Sequence, residues 1–487
     1  MYPSMAEKTI IIGAGPVGSL AALYAAVRGH HVDVYELRPD LRDPETIPLN
    51  FAKSINLALS ERGINSLAQT GLPNLVDAVL NETIPMHGRM IHLSKNGEYT
   101  REPQLYDARG KSLSAMDRTG LNKTLLDHLE SMPNVNFFFH HKLIGVDFKK
   151  RLAWFERHHH TDDPVRGFEI EVKFDFMIGA DGAHSAVRYH LMKFTPMSYQ
   201  QEYIDKLWCQ FHIPPGPDGE FRLPPNYLHI WPQDESMFIA LPNQDKSFTA
   251  TLFLTRSGFE QLDASGQVID YFSNKFPGVI PSLITHDELR KQYTTNQHLP
   301  LISIKCTPYH FGSSGVILGD AAHAMVPFYG QGMNAGLEDV RVLFDIMDKY
   351  PNDRAKALKE YSEQRTPDAQ TINDLALRNY REMATDVKKP LYLLRKWLEE
   401  KLDLYLPNVG WATQYSRVTF SNMRYSEVQY RAHRQASILN GVVGLTLATL
   451  VGSGFWIARA GGLQKVKMGI LRSVCLFAQG AHKLIYG

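Results

Sequence analysis

A glycine-rich segment near the start of the chain constrains its fold more than any other feature. Residues 8–36 read KTIIIGAGPVGSLAALYAAVRGHHVDVYE: a β-branched run, the glycines, an alanine-rich helical stretch, and a second apolar run ending in Glu36. This order predicts a βαβ unit that binds a dinucleotide. Gly13 permits the tight turn, Gly15 lets the backbone approach a pyrophosphate, and Gly18 lets the helix pack closely on the strand. The terminal acid can accept ribose hydroxyls and would repel a 2′-phosphate, so the unit is expected to hold FAD or NAD.

Two later motifs distinguish FAD from NAD. In FDFMIGADGAHSAVR, Asp181 follows an apolar strand, and in SSGVILGDAAHAMVPFYGQGMNAGLED a strand ends just before Asp320. A carboxylate at the end of a strand can bind the ribityl hydroxyls of a flavin. The glycine-rich run that follows opens a helix, whose N–H groups can face the electron-rich edge of the flavin ring. The residues at this helix start are Gly332, Met333 and Asn334. The three motifs in this order favour FAD.

Composition excludes several classes of protein. The 487 residues are 44% hydrophobic and 21% charged, which is typical of globular domains and excludes a disordered chain. Lys and Arg number 52 against 51 for Asp and Glu, so no overall basic field predicts a nucleic acid partner. Three widely spaced cysteines favour a reducing compartment over a disulfide-built secreted protein. No metal site is predicted, because the adjacent histidines at 158–160 fit an exposed loop better than a ligand set.

Several segments resemble those of the FAD-dependent aromatic hydroxylases, which are single-component monooxygenases. These segments are KSINLALSERG (53–63), PMHGRMIH (85–92), DRTGLNKTLLD (117–127), NYLHIWP (226–232), GDAAHAMVPFYGQGMNAG (319–336) and VTFSNMRY (418–425). Within this family, the chain is most similar to the members that act on L-kynurenine, and the similarity extends from about residue 8 to residue 425.

The resemblance implies a reaction as well as a fold. NADPH, a transient co-substrate, would reduce tightly bound FAD, and O2 would then form a C4a-hydroperoxide of the flavin. This species would hydroxylate L-kynurenine to 3-hydroxykynurenine, in tryptophan degradation and NAD biosynthesis. The aniline amino group of the substrate already donates electron density to the carbon that is attacked, so a strong protein base is not required.

The resemblance also implies which residues surround the cofactor. Glu36 and Arg38 are implied at the adenosine part of FAD, while Pro327 and Phe328 are implied beside the flavin and the substrate ring, where the reaction takes place. The other implied FAD contacts, besides the glycines of the first motif, are Ala58, Arg118, Leu143, Asp181, Asp320, Gly332, Met333 and Asn334.

A further set of residues is implied at the substrate. Arg89 matches the arginine that binds the substrate carboxylate in the family, and its planar guanidinium can grip a carboxylate bidentately. Tyr106 and Tyr99 compete as its tyrosine partner, and Tyr106 is chosen because it preserves the family's spacing to Arg118. Asn379 and Tyr415 match the remaining contacts, although Asn379 fits a brace between structural elements equally well.

The predicted fold class is α/β, with a Rossmann-like FAD-binding domain of the kind found in aromatic hydroxylases and glutathione reductase. Alternating apolar and polar residues between 207 and 254 predict an antiparallel sheet that forms an inserted substrate domain. The predicted divisions are 1–85, 105–195 and 295–375 for the discontinuous FAD-binding domain, 86–104 and 196–294 for the substrate domain, and 376–434 for a helical region.

The end of the chain suggests a membrane anchor. Residues 435–458 contain 24 residues without a charge, and a helix of that length spans about 36 Å, more than the roughly 30 Å of a hydrocarbon core. A transmembrane helix is therefore expected there, followed by a basic amphipathic tail at 459–487. The first strand begins by residue 8, which leaves no room for a signal peptide. The expected location is the mitochondrial outer membrane, with the catalytic body facing the cytosol.

Other functions remain open at this point. A related FAD monooxygenase could act on another aromatic substrate. A halogenase or a prenyl reductase shares the cofactor, but the lysine-bearing motif of halogenases is not found. A non-enzymatic escort protein keeps the Rossmann architecture without flavin, and the intact Asp320 and GQGMN run argue against it. The sequence indicates neither the oligomeric state nor the place where NADPH binds.

Overall fold

The fold is described from a computed structural model of the chain. It describes residues 7–44, 46, 56–95, 98–107, 109–157, 167–384, 390–405 and 410–459. The chain divides into two compact units, one formed by Met1–Val387 with Tyr415–Ser426 and the other by Lys388–Gln414 with Glu427–Gly487. The cavity and the motifs analysed below all lie in the first unit.

The regular elements alternate between strands and helices along the chain. The strands are β1 (Lys8–Ile12), β2 (His31–Tyr35), β3 (Asn56–Leu59), β4 (Ile84–Met86), β5 (Gly88–Lys95), β6 (Glu98–Leu105), β7 (Leu113–Asp117), β8 (Val135–Phe138), β9 (His141–Asp147), β10 (Leu152–Arg157), β11 (Phe168–Lys173), β12 (Phe176–Gly179), β13 (Ser198–Ile213), β14 (Tyr227–Pro232), β15 (Met237–Pro242), β16 (Phe248–Leu254), β17 (Leu299–Thr307), β18 (His310–Phe311) and β19 (Gly315–Ile317). The helices are α1 (Pro16–Val27), α2 (Glu61–Ala68), α3 (Leu75–Asn81), α4 (Arg118–Glu130), α5 (Ala186–Leu191), α6 (Arg256–Ser265), α7 (Val268–Lys275), α8 (His286–Thr295), α9 (Asp320–His323), α10 (Gly332–Lys349), α11 (Arg354–Ala384), α12 (Pro390–Tyr405), α13 (Gln414–Thr419) and α14 (Tyr425–Arg459).

A mostly parallel sheet forms the centre of the first unit. Among the described residues its strands lie in the order β18-β19-β12-β1-β2-β8, and only the β18–β19 pair is antiparallel. Ile11 of β1 lies opposite Val34 on one side and Ile178 on the other, and all three are buried. Burial on both faces explains why these strands are continuous apolar runs. The α/β fold class with a Rossmann-like domain is therefore confirmed.

A second, larger sheet is formed largely by the region predicted as the substrate domain. Its order is β17-β13-β16-β15-β14-β5-β6, and its neighbours are antiparallel except for the parallel pair β14–β5. β5 and β6 come from a hairpin far earlier in the chain than the other strands. They bring Arg89 of β5 next to Leu228 of β14. The hairpin thus adds a substrate-binding candidate to the wall formed by this sheet.

The predicted transmembrane helix is wrong. The stretch 435–458 lies within α14, but across the described residues no helix is both long enough and apolar enough to cross a bilayer. The prediction counted only the absence of charge. Asn440, four glycines and several serines and threonines dilute the apolar residues of this stretch. The expected location rested on that span and stays a prediction, while residues 158–160 and the tail beyond Arg459 lie outside the described residues.

A series of hydrogen bonds centred on the buried pair His92 and His229 joins three strands of the larger sheet. The Nε2 atom of His229 lies 2.9 Å from the carbonyl oxygen of Pro224, which can only accept, so this nitrogen carries the proton. His229 Nδ1 then accepts from Nε2 of His92 at 2.8 Å, and Nδ1 of His92 accepts from the hydroxyl of Tyr99 at 2.5 Å. Arg101 Nε donates to the same hydroxyl at 3.0 Å. Every donor in this series of hydrogen bonds therefore has an acceptor only while the imidazoles of His92 and His229 are both neutral.

This series of hydrogen bonds predicts a loss of stability in acid. Burial lowers the pKa of His229 from 6.5 to about 4 and, with the neighbouring imidazole, the pKa of His92 to about 2. Between pH 6.5 and pH 4 the unfolded chain binds a proton at His229 that the folded chain does not, so stability falls as the pH falls and is unaffected above this window. The contribution of His229 is about 3 kcal/mol. We expect the urea midpoint of His229→Gln to depend less on pH between 4 and 7 than that of the wild type, and parallel pH profiles would contradict this.

Candidate active site

A cavity of about 430 Å³ connects the glycine-rich motifs with the larger sheet. One part of its wall comes from the carboxyl ends of the central parallel strands and includes Gly15 and Asp320. Another part comes from the larger sheet and the segment around residue 415, and includes Arg89, Tyr106 and Tyr415. The sequence motifs for cofactor and for substrate thus meet in the same cavity.

The three glycines of the first motif have different structural roles. Gly13 has φ +100°, and a Cβ atom on it would lie 2.5 Å from the carbonyl oxygen of Ala180. A Cβ on Gly18 would lie 1.9 Å from the carbonyl oxygen of Gly13, so both positions are required by packing. A Cβ on Gly15 would meet no atom of the chain within 4 Å, and this residue lines the cavity at the start of α1. The open space in front of Gly15 fits the close approach of a pyrophosphate to the helix start.

Glu36 lies at the end of β2, beside the glycine turn. Its two carboxylate oxygens accept hydrogen bonds from the backbone N–H groups of Ala14 at 2.8 Å and Arg38 at 3.0 Å. Each oxygen keeps a lone pair for another donor, as a ribose contact requires. The side chain of Arg38 is exposed at the same edge. Neither side chain belongs to the cavity wall, and their implied contacts with the adenosine part of FAD stay a prediction.

Asp320 and Asp181 come from similar motifs but are placed differently. Asp320 is exposed to the cavity at the start of α9. Asp181 instead accepts hydrogen bonds from the hydroxyl of Ser185 at 2.6 Å and from the N–H groups of Ala186 at 2.7 Å and Val187 at 3.1 Å. Burial raises the pKa of Asp181, although these hydrogen bonds oppose the shift. Asp181 therefore orders the loop before α5, while the backbone on either side of it lines the cavity.

The glycine-rich run before α10 contains both cavity residues and a brace. Gly332, Met333 and Pro327 line the cavity. The side chain of Asn334 is fully buried: its Oδ1 accepts from the N–H of Ser60, and its Nδ2 donates to the carbonyl oxygens of Ala58 and Gly330 at 2.8 and 2.9 Å. Asn334 thus ties the cavity residue Ala58 to the glycine-rich run. Arg118, at the start of α4, completes this part of the wall.

Leu143 is not on the cavity wall. It lies on β9 opposite Phe155 of β10 and is 7% exposed within the main hydrophobic core. Like Glu36 and Arg38, Leu143 therefore lies off the cavity wall, and its implied contact with FAD stays a prediction.

Beneath the cofactor motifs lies a network of buried charges. Glu338 accepts from Arg62 and from Arg365, each at 2.8 Å, and Asp339 accepts from Arg365 and from Nε2 of His323. All five side chains are no more than 2% exposed. Burial alone would raise the pKa of Asp339, but its interactions with His323 and Arg365 outweigh burial and hold this pKa below its usual value. The sequence indicated none of these pairs, because their members are far apart along the chain.

At the substrate end, Arg89 lies among tyrosine rings. Its guanidinium carbon is 4.8 Å from the ring centroid of Tyr415 and 5.8 Å from that of Tyr106, and Arg89 is 5% exposed. The rings of Tyr106 and Tyr415 stack at 5.3 Å, and Tyr329 also stacks with Tyr415 at 5.5 Å. Burial raises the pKa of all three hydroxyl groups, so they stay neutral and able to donate.

The structure brings Tyr106, and not Tyr99, to Arg89. Tyr106 is 7% exposed and lines the cavity. The hydroxyl of Tyr99 instead donates to His92, in the hydrogen-bonded series that runs through His92 to His229. The spacing argument used with the sequence therefore agrees with the observed geometry.

Asn379 lies behind the cavity wall. Its Nδ2 donates to the carbonyl oxygen of Phe328 at 2.7 Å. The ring of Phe328 lines the cavity and packs against Phe253 at 5.0 Å and Tyr380 at 4.5 Å. Asn379 thus fixes the short 3-10 turn Pro327–Tyr329, as the brace reading allowed.

Two residues near Arg89 were missed from sequence. Tyr329 is stacked in the tyrosine group, and a carboxylate oxygen of Glu382 lies 3.8 Å from Nη1 of Arg89. Glu382 follows Asn379 by three positions on α11, so the two share a helix face. That spacing is a signal from which Glu382 could have been found.

The parallel sheet, the glycine turn and an aspartate facing the cavity define an FAD-dependent oxidoreductase, and the comparisons with known proteins agree. Residues 7–376 match the family model of an FAD binding domain. A kynurenine 3-monooxygenase of Phaeosphaeria nodorum is 74% identical over 484 residues, which cover 99% of this chain and 100% of that protein. That of Aspergillus fumigatus is 56% identical over 464 residues, covering 92% and 91%. The chain belongs to the kynurenine 3-monooxygenase family.

Solved structures support the fold at much lower identity. The tetrameric form of 2-methyl-3-hydroxypyridine-5-carboxylic acid oxygenase has a TM-score of 0.60 at 17% identity, covering 80% of this chain and 96% of that one. A variant of Klebsiella pneumoniae HpxO complexed with FAD has a TM-score of 0.58 at 20% identity, covering 83% and 97%. At these identities the likeness shows the shared fold alone.

The glycine geometry predicts that two similar substitutions fail in different ways. Gly18→Ala should lower the free energy of unfolding by about 3 kcal/mol, because its Cβ overlaps the carbonyl of Gly13. Gly15→Ala should fold normally but bind FAD at least about tenfold more weakly, since its methyl group enters the space left for the cofactor. Thermal melting of the FAD-free proteins and flavin absorbance after reconstitution measure the two effects. Normal FAD affinity in Gly15→Ala would contradict the placement.

Proposed function

We propose that this chain hydroxylates the aromatic ring of L-kynurenine to give 3-hydroxykynurenine, with FAD as its cofactor and NADPH and O2 as co-substrates. The observation that carries the proposal is a buried arginine among tyrosines, in the same cavity as the flavin motifs. Family membership supports it, because the relatives bear the name of this activity. The resemblance of the sequence motifs led to the same reaction.

The cofactor end of the cavity has suitable groups for FAD. The start of α1 at Gly15 offers N–H groups and a positive helix end to the pyrophosphate. Glu36, beside the glycine turn, can accept a hydrogen bond from the ribose. Asp320, which lines the cavity, can accept hydrogen bonds from the ribityl hydroxyls. Bound flavin supplies the redox chemistry, taking electrons from NADPH and activating O2.

The substrate end has suitable groups for an amino acid. The guanidinium of Arg89 can grip a carboxylate bidentately, and the neutral hydroxyls of Tyr106 and Tyr415 can donate hydrogen bonds to it. Glu382 lies beside this arginine and offers a negative charge to the α-ammonium group. Together they fit the zwitterionic head of kynurenine better than they fit a simple phenol.

The middle of the cavity is suited to an aromatic ring. Phe328, Phe253, Ile239 and Leu228 contribute apolar wall between the two polar ends. This wall orients the substrate ring toward the flavin. It also excludes water, and the exclusion of water protects a reactive oxygen species from side reactions. Since the aniline amino group activates its own ring, the protein's task is mainly positioning.

The direct test is to measure NADPH oxidation and product together in the purified full-length protein. L-Kynurenine should accelerate NADPH oxidation and yield one equivalent of hydroxylated product. A different aromatic substrate that is turned over in preference to kynurenine would instead support the related monooxygenase. A colourless protein that does not take up FAD would contradict both.

Arg89→Met tests the role of the arginine at the substrate end. We expect FAD to remain bound while KM for kynurenine rises between about tenfold and a hundredfold, the effect of losing a charged hydrogen-bond partner. Arg101→Met is the matched control, because Arg101 is an exposed residue on the adjacent strand and donates to Tyr99 in the series of hydrogen bonds centred on His92 and His229. Unchanged kynurenine affinity in Arg89→Met, measured by flavin fluorescence titration, would contradict the assignment.

A further inference from the structure

Arg62 touches no part of the cavity wall, yet it holds a segment that does. The segment comprises residues 415–426, and its first residue is the cavity residue Tyr415. Arg62 is fully buried on α2, and its Nε donates to the carbonyl oxygen of Val418 at 3.0 Å, while its Nη2 donates to the carbonyl oxygen of Met423. Its Nη1 pairs with Glu338 of α10 at 2.8 Å. One guanidinium therefore connects this segment to the helix whose first turn faces the flavin.

These contacts suit a guanidinium and no other side chain. The carbonyl of Val418 lies in the last turn of α13, where backbone carbonyls have no partner within the helix and a positive charge is favoured. Arginine presents several N–H donors in a fixed planar fork, so it can serve two carbonyls and a carboxylate at once. Its guanidinium carbon also lies 3.9 Å from the ring centroid of Tyr425. The hydroxyl of that tyrosine donates to Gln331 of the glycine-rich run at 3.0 Å.

The hydrogen bond from Arg62 to Val418 also restrains Tyr415, which lies within one helical turn of Val418. The two residues are three positions apart on α13, so they lie on the same side of this short helix. A second tie lies next to the cavity, where the hydroxyl of Ser416 donates to Asp107 at 3.0 Å. The ring of Tyr415 stacks with those of Tyr106 and Tyr329 and borders Arg89. A shift of the segment would therefore open the aromatic stack at the substrate end.

We propose that Arg62 is a positioning residue for the substrate: by holding the carbonyls of Val418 and Met423, it fixes the ring of Tyr415 against the site that receives the substrate's head group. This proposal rests on the proposed function, since kynurenine is the ligand that it concerns. The two fail separately, because wild-type binding of kynurenine tests the function and the Arg62 variants test the positioning.

The primary variant is Arg62→Lys, which keeps a positive charge beside Glu338 but loses the planar fork. We expect it to keep its FAD and to bind kynurenine about tenfold more weakly, the effect of losing one charged hydrogen bond. Arg365→Lys is the matched control, because Arg365 pairs with the same Glu338 and donates to Ala335. In the described part of the chain, Arg365 makes no hydrogen bond to the segment, and its guanidinium carbon lies 5.6 Å from the ring centroid of Tyr425. Arg365→Lys should change the kynurenine affinity less than about twofold and should weaken FAD retention instead.

A double-mutant cycle separates positioning from general damage. The dissociation constant of kynurenine is measured by flavin absorbance in Arg62→Lys, Tyr415→Leu and the double variant. Because Arg62 acts through Tyr415, the lysine substitution should weaken binding less than about twofold once Tyr415 is leucine. A full tenfold effect in that background would overturn the proposal. So would unchanged affinity in Arg62→Lys, or FAD loss from it equal to that from Arg365→Lys.

Should Arg62→Lys not fold, the pair Arg62→Met with Glu338→Gln replaces it. This pair removes the carboxylate charge together with the guanidinium, so no unpaired charge is buried at the position. Kynurenine binding is titrated in the same way, with and without Tyr415→Leu. The results that support or overturn the proposal are those given for Arg62→Lys.

Discussion

The structure depends on the buried charges around Asp339 and Glu338. Asp339 accepts a hydrogen bond from the N–H of Gly319 at 2.8 Å, directly before the cavity residue Asp320, and it pairs with Arg365 of α11. Buried charges are stable only when every one of them is paired, and removing one partner typically costs about 3–5 kcal/mol. Asp339 therefore fixes the turn before Asp320 to α10 and α11. Loss of one of the paired charges would weaken the other interactions that hold this turn.

Glycine sets a second constraint, and it acts in two distinct ways. At Gly18 the protein's own backbone excludes a side chain. At Gly15 no atom of the chain lies within 4 Å of a Cβ, so a side chain there would only fill the open space in front of α1. The same residue type thus serves folding at one position and ligand approach at the other. This distinction is invisible in the sequence motif, where both glycines are simply required.

Sequence predicted well where the physics is local. The first glycine motif and its strands were predicted because the turn, the helix start and the continuous apolar runs follow from neighbouring residues. It did worse where a polar side chain meets backbone from a distant segment, as with Asn379, which braces Phe328, 51 positions away. Arg62 was missed for the same reason, since Val418 lies 356 positions away. The predicted membrane span failed differently, because absence of charge was taken for apolar character.

The short 3-10 turn Pro327–Tyr329 links the two ends of the cavity. Phe328 faces the apolar middle, and the next ring along the chain, Tyr329, stacks on Tyr415 beside Arg89. Under the proposed function, the turn would fix the distance between a carboxylate held by Arg89 and the place of the aromatic ring. A displacement of about 1 Å can cost a hundredfold in rate, so the buried hydrogen bond from Asn379 to this turn would then support catalysis by holding this geometry.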